Sequence, residues 1–215
     1  MWIDAGNGTF SRLQEHVAYD SVDAIVLSHS HADHTADMIP LMYALGYDGE
    51  CKYVPVHAPP DVAGSLTAQL HESSRELFGT VFGFSDLGSP FEVGDLRVEP
   101  FPTLHPVETY GVRVTDGART FVYTADTAMF DELPDLCRGA DLLVAEATYV
   151  RPYELPPGIH MWGDEAGQLA CKAEAKRLLL THVWGSIPVE DAVREAAENW
   201  DGPIEAAGEG QTYHP

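Results

Sequence analysis

The stretch Ser28-His29-Ser30-His31-Ala32-Asp33-His34 directly follows a short aliphatic run, DAIVL at residues 23–27. That run is typical of a buried β-strand. In an extended continuation of the strand, His29 and His31 lie on one side of the backbone, because side chains alternate along a strand. The aspartate and the last histidine follow at the turn into the next helix, where they can reach a second point nearby. Such a set of imidazoles and one carboxylate suits a divalent cation, and zinc is the usual occupant.

Three other predicted strands are also followed by residues of the kind that bind metals. These strands are LRVEPF at 96–101, TFVY at 120–123 and RLLL at 177–180. The residues that follow them are His105, Asp126 and His182. In layered α/β proteins, the loops that follow strands meet and build sites. Because the same kind of residue stands after four strands, the sequence predicts one shared site.

Helical segments alternate with these strands and with a further one at 142–144 (LLV). Val62, Leu66, Leu70 and Leu77 recur at helical spacing, and Asp61 is placed to cap the start of that helix. Two later helices are expected near 165–175 and 189–200, the second with Pro188 at its start. Mixed strands and helices indicate an α/β (α+β) core of sheet covered by helices. Without repeats or a long linker, residues 1–215 are expected to form one domain.

Composition limits the partners. The chain has 215 residues, of which 45% are hydrophobic, and its 34 acidic and 12 basic residues give a formal charge of −22. This charge repels phosphate backbones, so no extended nucleic-acid interface is expected, whereas a small anionic substrate stays compatible with a metal site. No apolar run approaches the roughly 20 residues of a membrane span, and no signal peptide is recognisable. The three cysteines are too few for a disulfide framework, which favours a cytoplasmic protein.

The arrangement resembles the metallo-β-lactamase-fold hydrolases, whose HxHxDH motif matches residues 29–34. The resemblance implies a four-layer αββα sandwich and two Zn²⁺ ions per chain, with Mn²⁺ or Fe as alternatives. It places His29, His31 and His105 on one zinc and Asp33, His34 and His182 on the other, with Asp126 bridging. Asp4, in Ile3-Asp4-Ala5-Gly6, matches the aspartate that supports the ligand loop in this family.

The chain differs from the family pattern at its start. Members usually have two or more strands before the Asp-x-Gly segment, and here that segment comes almost at once. Either the start is truncated or misassigned, or the first sheet is smaller than usual. An open sheet edge exposes unpaired backbone groups and favours pairing with another chain, so a homodimer is one expected outcome.

Residues after the 142–144 strand point to the reaction. Glu146-Ala147-Thr148, followed by His160, resembles the Glu-Ala-Thr and downstream histidine of ribonuclease Z and its phosphodiesterase relatives. In these enzymes a carboxylate-supported histidine can protonate the leaving alkoxide. The resemblance implies Asp33, Glu146 and His160 as catalytic residues. Trp184 is expected to line the site because it follows His182 closely, whereas the aromatic stretch at 78–84 is expected to pack in the core.

The leading hypothesis is a dinuclear zinc phosphodiesterase. Two nearby metals can hold a bridging hydroxide and polarise a phosphate oxygen. The pattern of the whole chain is most similar to small bacterial phosphodiesterases that degrade cyclic nucleotides. Two alternatives stay open. One is a thioesterase, lactonase or β-lactamase acting through the same site, and the other is a non-catalytic binding protein of this fold.

Overall fold

The computed structural model describes residues 1–47, 51–153 and 158–215. They form two compact units, Met1–Ser89 and Pro90–Pro215. The mixed α/β class is confirmed, since both units are built from a sheet and helices. The single-domain organisation stays a prediction. Across the described ranges, no helix is long and apolar enough to cross a membrane.

The first unit contains a four-stranded parallel sheet in the order β1-β2-β3-β4. Its strands are β1 (Trp2–Ile3), β2 (Ile25–Val26), β3 (Val54–Ala58) and β4 (Phe82–Asp86). Its helices are α1 (Thr9–Leu13), α2 (Ala32–Thr35), α3 (Met38–Tyr47), α4 (Pro60–Ala68) and α5 (Glu72–Val81), with a 3₁₀ turn at Tyr19–Ser21. Phe78 and Phe82 belong to its buried core, as expected for the aromatic stretch. β2 ends just before the histidine-rich segment, so the sheet delivers that segment at its edge.

The second unit contains a seven-stranded sheet in the order β11-β10-β9-β8-β7-β6-β5. Its strands are β5 (Phe91–Val93), β6 (Leu96–Pro102), β7 (Tyr110–Thr115), β8 (Thr120–Tyr123), β9 (Leu142–Glu146), β10 (Leu178–Thr181) and β11 (Ile204–Ala206). Its helices are α6 (Leu133–Leu136), α7 (Gly163–Lys172) and α8 (Val189–Ala196). β5 to β8 pair antiparallel, whereas β8 to β11 run parallel. The parallel strands therefore deliver Asp126, Glu146 and His182 at one edge of this sheet.

The predicted strands are confirmed, and β8 has the predicted bounds. The helices expected near 165–175 and 189–200 are α7 and α8. The single helical stretch expected from Val62 to Leu77 is wrong, because two helices replace it. His71 has extended backbone angles, and its Nδ1 accepts a hydrogen bond from the backbone N–H of Ser73, which starts α5. The prediction that Asp61 caps the start of this helix is also wrong, because Pro59 is the N-cap residue of α4.

The cysteines have the unremarkable surroundings that their spacing suggests. Cys51 and Cys171 are exposed free thiols, and Cys137 is buried in the core of the second unit. Burial raises the pKa of the Cys137 thiol to about 12. Because this thiol stays protonated at neutral pH, it acts as a small core residue rather than as a nucleophile.

Candidate metal centre

In the first unit, the histidine-rich segment after β2 folds into a compact cluster of imidazoles. The Nε2 atom of His29 lies 3.0 Å from Nδ1 of His31. The ring centre of His29 lies 4.1 Å from that of His34, whose Nε2 is 3.7 Å from a carboxylate oxygen of Asp33. His29 and His34 are buried, whereas His31 and Asp33 are exposed. The four predicted ligands of this unit are therefore neighbours, with two on the buried side and two toward solvent.

Asp4 fixes this cluster from the end of β1. Its Oδ1 accepts the backbone N–H of Ser28 at 2.7 Å, and its Oδ2 accepts the Ser28 hydroxyl at 2.8 Å and Nδ1 of His34 at 2.7 Å. Asp4 itself has a positive φ of 55°. Gly6 lets the chain pass close by, because a Cβ there would lie 1.9 Å from the carbonyl oxygen of Asp33. The supporting role expected for Asp4 thus has a direct structural basis.

The same hydrogen bonds define which ring nitrogen of His29 carries the proton. A serine hydroxyl has one hydrogen, and Ser28 gives it to Asp4. The 2.9 Å contact between Ser28 Oγ and Nδ1 of His29 is then donated by the imidazole, which leaves the lone pair on Nε2. His34 is set in the same way by its bond to Asp4. Both rings therefore present Nε2 as a metal-binding atom, a pattern typical of ligand histidines.

In the second unit, Asp126 lies at the centre of the predicted ligands. Its Oδ2 is 3.5 Å from Nε2 of His182 and 3.9 Å from Nε2 of His105. The Asp126 side chain is buried. Ala125 and His182 both have positive φ values, 53° and 57°. Non-glycine residues rarely adopt these backbone angles, and the positions where they do so cluster at functional sites.

The ring orientations of His105 and His182 follow the same rule as in the first unit. Nδ1 of His105 donates to the carbonyl oxygen of Ile159 at 3.0 Å, so its lone pair lies on Nε2. Thr148 gives its one hydroxyl hydrogen to Glu146 Oε2 at 2.6 Å. Nδ1 of His182, 2.8 Å from the same hydroxyl, must therefore be the donor. Both rings present Nε2 toward Asp126.

Glu146 also contacts His160, as the sequence predicts. Glu146 Oε1 lies 3.0 Å from Nδ1 of His160, and Oε2 accepts the backbone N–H of Met161 at 3.1 Å. The carboxylate is almost fully buried, whereas the side chain of His160 is 15% exposed. Asp126, His160 and His182 each offer one ligand atom within 4.8 Å of the others. His160 thus stands beside the predicted ligands with its orientation fixed by a buried carboxylate.

The donors of each unit suit a divalent metal. Two nitrogens that bind one tetrahedral zinc at 2.0–2.1 Å are about 3.3 Å apart. The 3.0 Å separation between the His29 and His31 nitrogens is close to that value. Imidazole nitrogens with oriented lone pairs and a buried carboxylate are the ligands that zinc prefers, and manganese or iron accept the same set. The chemistry of the donors therefore fits the metal site that the sequence predicts.

Residues 1–183 match the family described as the beta-lactamase superfamily domain. This match extends over the donors of both units, and the chain belongs to that family. It has the metallo-β-lactamase fold, and it is a metal-dependent hydrolase.

Similar proteins include a metallo-hydrolase and a ribonuclease. ML1173 of Mycobacterium leprae is 35% identical over 98% of this chain and 76% of its own length. The probable metallo-hydrolase YhfI of Bacillus subtilis is 32% identical over 97% of this chain and 85% of its own length. Its crystal structure, as a metallo-β-lactamase fold protein, superposes with a TM-score of 0.86 at 29% identity, covering 97% of this chain and 84% of that one. Ribonuclease Z of Halorubrum lacusprofundi is 26% identical over 93% of this chain and 83% of its own length.

Sequence reasoning missed the hydroxyl residues that orient the ligands. Ser28 and Thr148 each connect a carboxylate to a predicted ligand histidine, and serine and threonine are not common metal ligands. The available signal for Thr148 is its position two residues after Glu146, which puts both side chains on one side of an extended chain. Ser28 directly precedes the first histidine of the motif. Trp184 is placed as expected, since its ring stacks on Tyr149, whose ring centre is 6.4 Å from that of His160.

Proposed function

We propose that this chain is a dinuclear zinc phosphodiesterase that cleaves a small phosphodiester such as a cyclic nucleotide. In this proposal one zinc is held by His29, His31 and His105, the other by Asp33, His34 and His182, and Asp126 bridges them. The ligand chemistry within each unit supports this assignment, because the hydrogen bonds on Nδ1 leave Nε2 as the binding atom of four of these histidines. Family membership supports it independently, since the matched residues include every proposed ligand.

The observation that carries the choice of reaction is the buried Glu146–His160 pair. Glu146 accepts a hydrogen bond from Nδ1 of His160, so Nε2 is the atom that can deliver a proton to a leaving group. A general acid must hold its proton within reach of the leaving oxygen. An alkoxide leaving from a phosphodiester is a strong base and gains most from such a proton. A thiolate gains little, so the pair favours phosphodiester cleavage over thioester cleavage.

The proposed mechanism also needs a nucleophile and a means of polarising the phosphate. When bound, the metals supply Lewis acidity toward a phosphate oxygen and a water that is nucleophilic at neutral pH. In this proposal one carboxylate oxygen of Asp33 binds metal and the other orients the attacking water by accepting a hydrogen bond; the side chain is 65% exposed. His160 then protonates the leaving oxygen. This division assigns Asp33 to the nucleophile and the Glu146–His160 pair to the leaving group.

The size of the substrate follows from charge. With a formal charge of −22, the chain repels an extended phosphate backbone, whereas a single phosphate can be drawn to a local metal charge. The ribonuclease Z relative supports phosphodiester chemistry by its name, but the acidic balance of this chain favours a small substrate over RNA.

A substrate panel tests the proposal. Protein purified without chelator is assayed on bis-p-nitrophenyl phosphate, a cyclic nucleotide, a thioester, a lactone and a β-lactam. We expect phosphodiester hydrolysis that is lost with chelator and regained with Zn²⁺. Reloading with Mn²⁺ or Fe²⁺ in parallel determines whether zinc is the most active metal. Turnover of the thioester, lactone or β-lactam with no phosphodiester cleavage would replace the proposal with the corresponding alternative.

A further inference from the structure

Two aromatic side chains near His160 stack on each other, and we call this pair the aromatic platform (Tyr149 and Trp184). Their ring centres are 6.0 Å apart and their planes differ by 15°. Tyr149 is in turn 6.4 Å, ring centre to ring centre, from the His160 imidazole. The platform therefore begins at the residue that is proposed to protonate the leaving group.

The backbone holds the platform to the catalytic segment. The N–H of Trp184 donates to the carbonyl oxygen of Thr148 at 3.0 Å, and Thr148 also bonds Glu146 and His182 through its hydroxyl. Tyr149 is fixed by a bond from the N–H of Gly163 to its own carbonyl oxygen at 2.9 Å. The backbone that carries the two rings is thus held by the same short segment that orients Glu146 and His182.

Packing accounts for only part of the Trp184 surface. Its indole stacks on Tyr149, yet the residue is 55% exposed. An indole is a large apolar surface with a polar N–H, and such side chains are enriched at binding surfaces.

We propose that the aromatic platform stacks on the heterocyclic base of a nucleotide substrate, which makes Trp184 a specificity-determining residue. This inference rests on the proposed phosphodiesterase function and adds the class of alcohol that the phosphate esterifies. A base offers a flat, uncharged π-face, so it can approach this acidic protein without repulsion. Stacking of this kind does not depend on which base is present. The platform therefore selects nucleotides from other small phosphodiesters without selecting among bases.

Direct binding of two probes tests the platform without relying on turnover. Adenosine 5′-monophosphate and ribose 5-phosphate share the phosphate and the sugar, and only the first has a base. We expect wild-type protein, purified without chelator, to bind the nucleotide about 10-fold or more tightly than the sugar phosphate. Trp184→Ala should abolish this preference, and Trp184→Phe should keep most of it because a π-face remains. Calorimetry measures both affinities, and quenching of indole fluorescence that disappears in Trp184→Phe locates the contact.

Tyr47→Ala is the matched control. Tyr47 stacks on Tyr43 with the same 6.0 Å separation and a similar 12° angle, and it is 72% exposed in the first unit, outside the candidate centre. This variant should keep the wild-type preference for the nucleotide. An unchanged preference in Trp184→Ala would overturn the platform, as would equal binding of the two probes by wild-type protein.

The two proposals fail separately. If the protein hydrolyses phosphodiesters while Trp184→Ala retains the preference for the base, the platform is wrong and the phosphodiesterase assignment stands. If the protein cleaves no phosphodiester and still shows a Trp184-dependent preference, the base-binding surface stands and the phosphodiesterase assignment is wrong.

Discussion

At the scale of single residues, the candidate centre depends on hydroxyls that bind no metal. Ser28 connects Asp4 to His29, and Thr148 connects Glu146 to His182. In each case the hydroxyl gives its proton to the carboxylate and accepts one from the imidazole. The same arrangement occurs in both units. It sets the histidine tautomer that a metal requires before any metal binds.

Thr148→Val should weaken metal binding although Thr148 is not a ligand. The change keeps the shape of the side chain and removes the acceptor of the His182 Nδ1–H, so the ring loses the bond that fixes its tautomer. We expect the metal held by His182 to lose about 10-fold in affinity. Titration against a competing chromophoric chelator measures it. Thr148→Ser, which keeps the hydroxyl, is the matched control and should bind as wild type does. Equal metal affinities of the Val and Ser variants would show that the Thr148 hydroxyl does not orient His182 for metal binding.

The residues that sequence analysis could predict are those with a chemical signature. The histidines and aspartates of the ligand set follow strands in a recognisable motif, and Glu146 and His160 stand in a recognisable order. Ser28, Thr148 and Tyr149 are common residue types whose roles depend on partners far away in the chain. Thr148 and His182, for example, meet only because β9 and β10 pair side by side.

At the scale of secondary-structure elements, α8 contacts the chain at Arg151, between the two members of the proposed catalytic pair, Glu146 and His160. Glu195 on α8 accepts the backbone N–H of Arg151 with Oε1 at 2.6 Å. Its Oε2 is shielded from solvent. Burial raises the pKa of the Glu195 carboxyl above its usual value. The ionised carboxylate is thus less favourable in the folded chain than in the unfolded one.

The raised pKa of Glu195 predicts how the free energy of unfolding changes with pH. A carboxyl whose pKa is raised by folding contributes fully to stability below its unfolded pKa, and the contribution is lost as pH rises through the folded value. Glu195→Gln keeps an acceptor for the Arg151 N–H and removes the ionisation. The free energy of unfolding of this variant should therefore fall less than that of wild type as pH rises from about 4 to neutral. Urea denaturation at a series of pH values measures the difference.

Glu198→Gln serves as the control, because Glu198 is exposed just beyond the end of α8. It removes the same formal charge and should leave the shape of the wild-type pH profile unchanged. If the Glu195 and Glu198 variants have the same profile, burial of Glu195 does not affect folding as described.

Strands with a continuous aliphatic sequence could be predicted, whereas the boundary between two helices with the same leucine spacing could not. β9 and β10 are nearly continuous aliphatic runs, as expected for strands buried on both faces. Leu66, Leu70 and Leu77 keep helical spacing across a boundary between α4 and α5, so periodicity alone suggested one helix. His71 ends that continuity by adopting extended backbone angles and capping α5.

At the scale of the whole molecule, the proposal draws metal ligands from both compact units, so metal content reports on the complete site. We expect two metals per chain in protein purified without chelator, by elemental analysis. Asp126→Ala should reduce the content of both sites because Asp126 is the proposed bridge. His105→Ala should chiefly weaken one site. No more than trace transition metal in the wild-type protein would contradict the dinuclear centre.

The homodimer expected from an open sheet edge stays a prediction, to be measured by light scattering.

The reaction assignment depends on one protonation step, and a series of phosphodiesters with different leaving groups isolates it. His160→Ala should lower turnover of substrates with poor alkoxide leaving groups by about 10²-fold or more. Activated p-nitrophenyl esters should suffer much less, since their leaving group scarcely needs a proton. Glu146→Gln should show a weaker form of the same pattern. His16→Ala, which changes an exposed histidine of the first unit, should match wild type throughout.

The most direct test is therefore the dependence of kcat/KM on leaving-group pKa for wild type and His160→Ala, at equal metal content. We predict a shallow dependence for wild type and a steep one for the variant, with the two lines converging at the most activated ester. Parallel lines, or loss of metal from the variant, would show that His160 does not protonate the leaving group and would contradict the account.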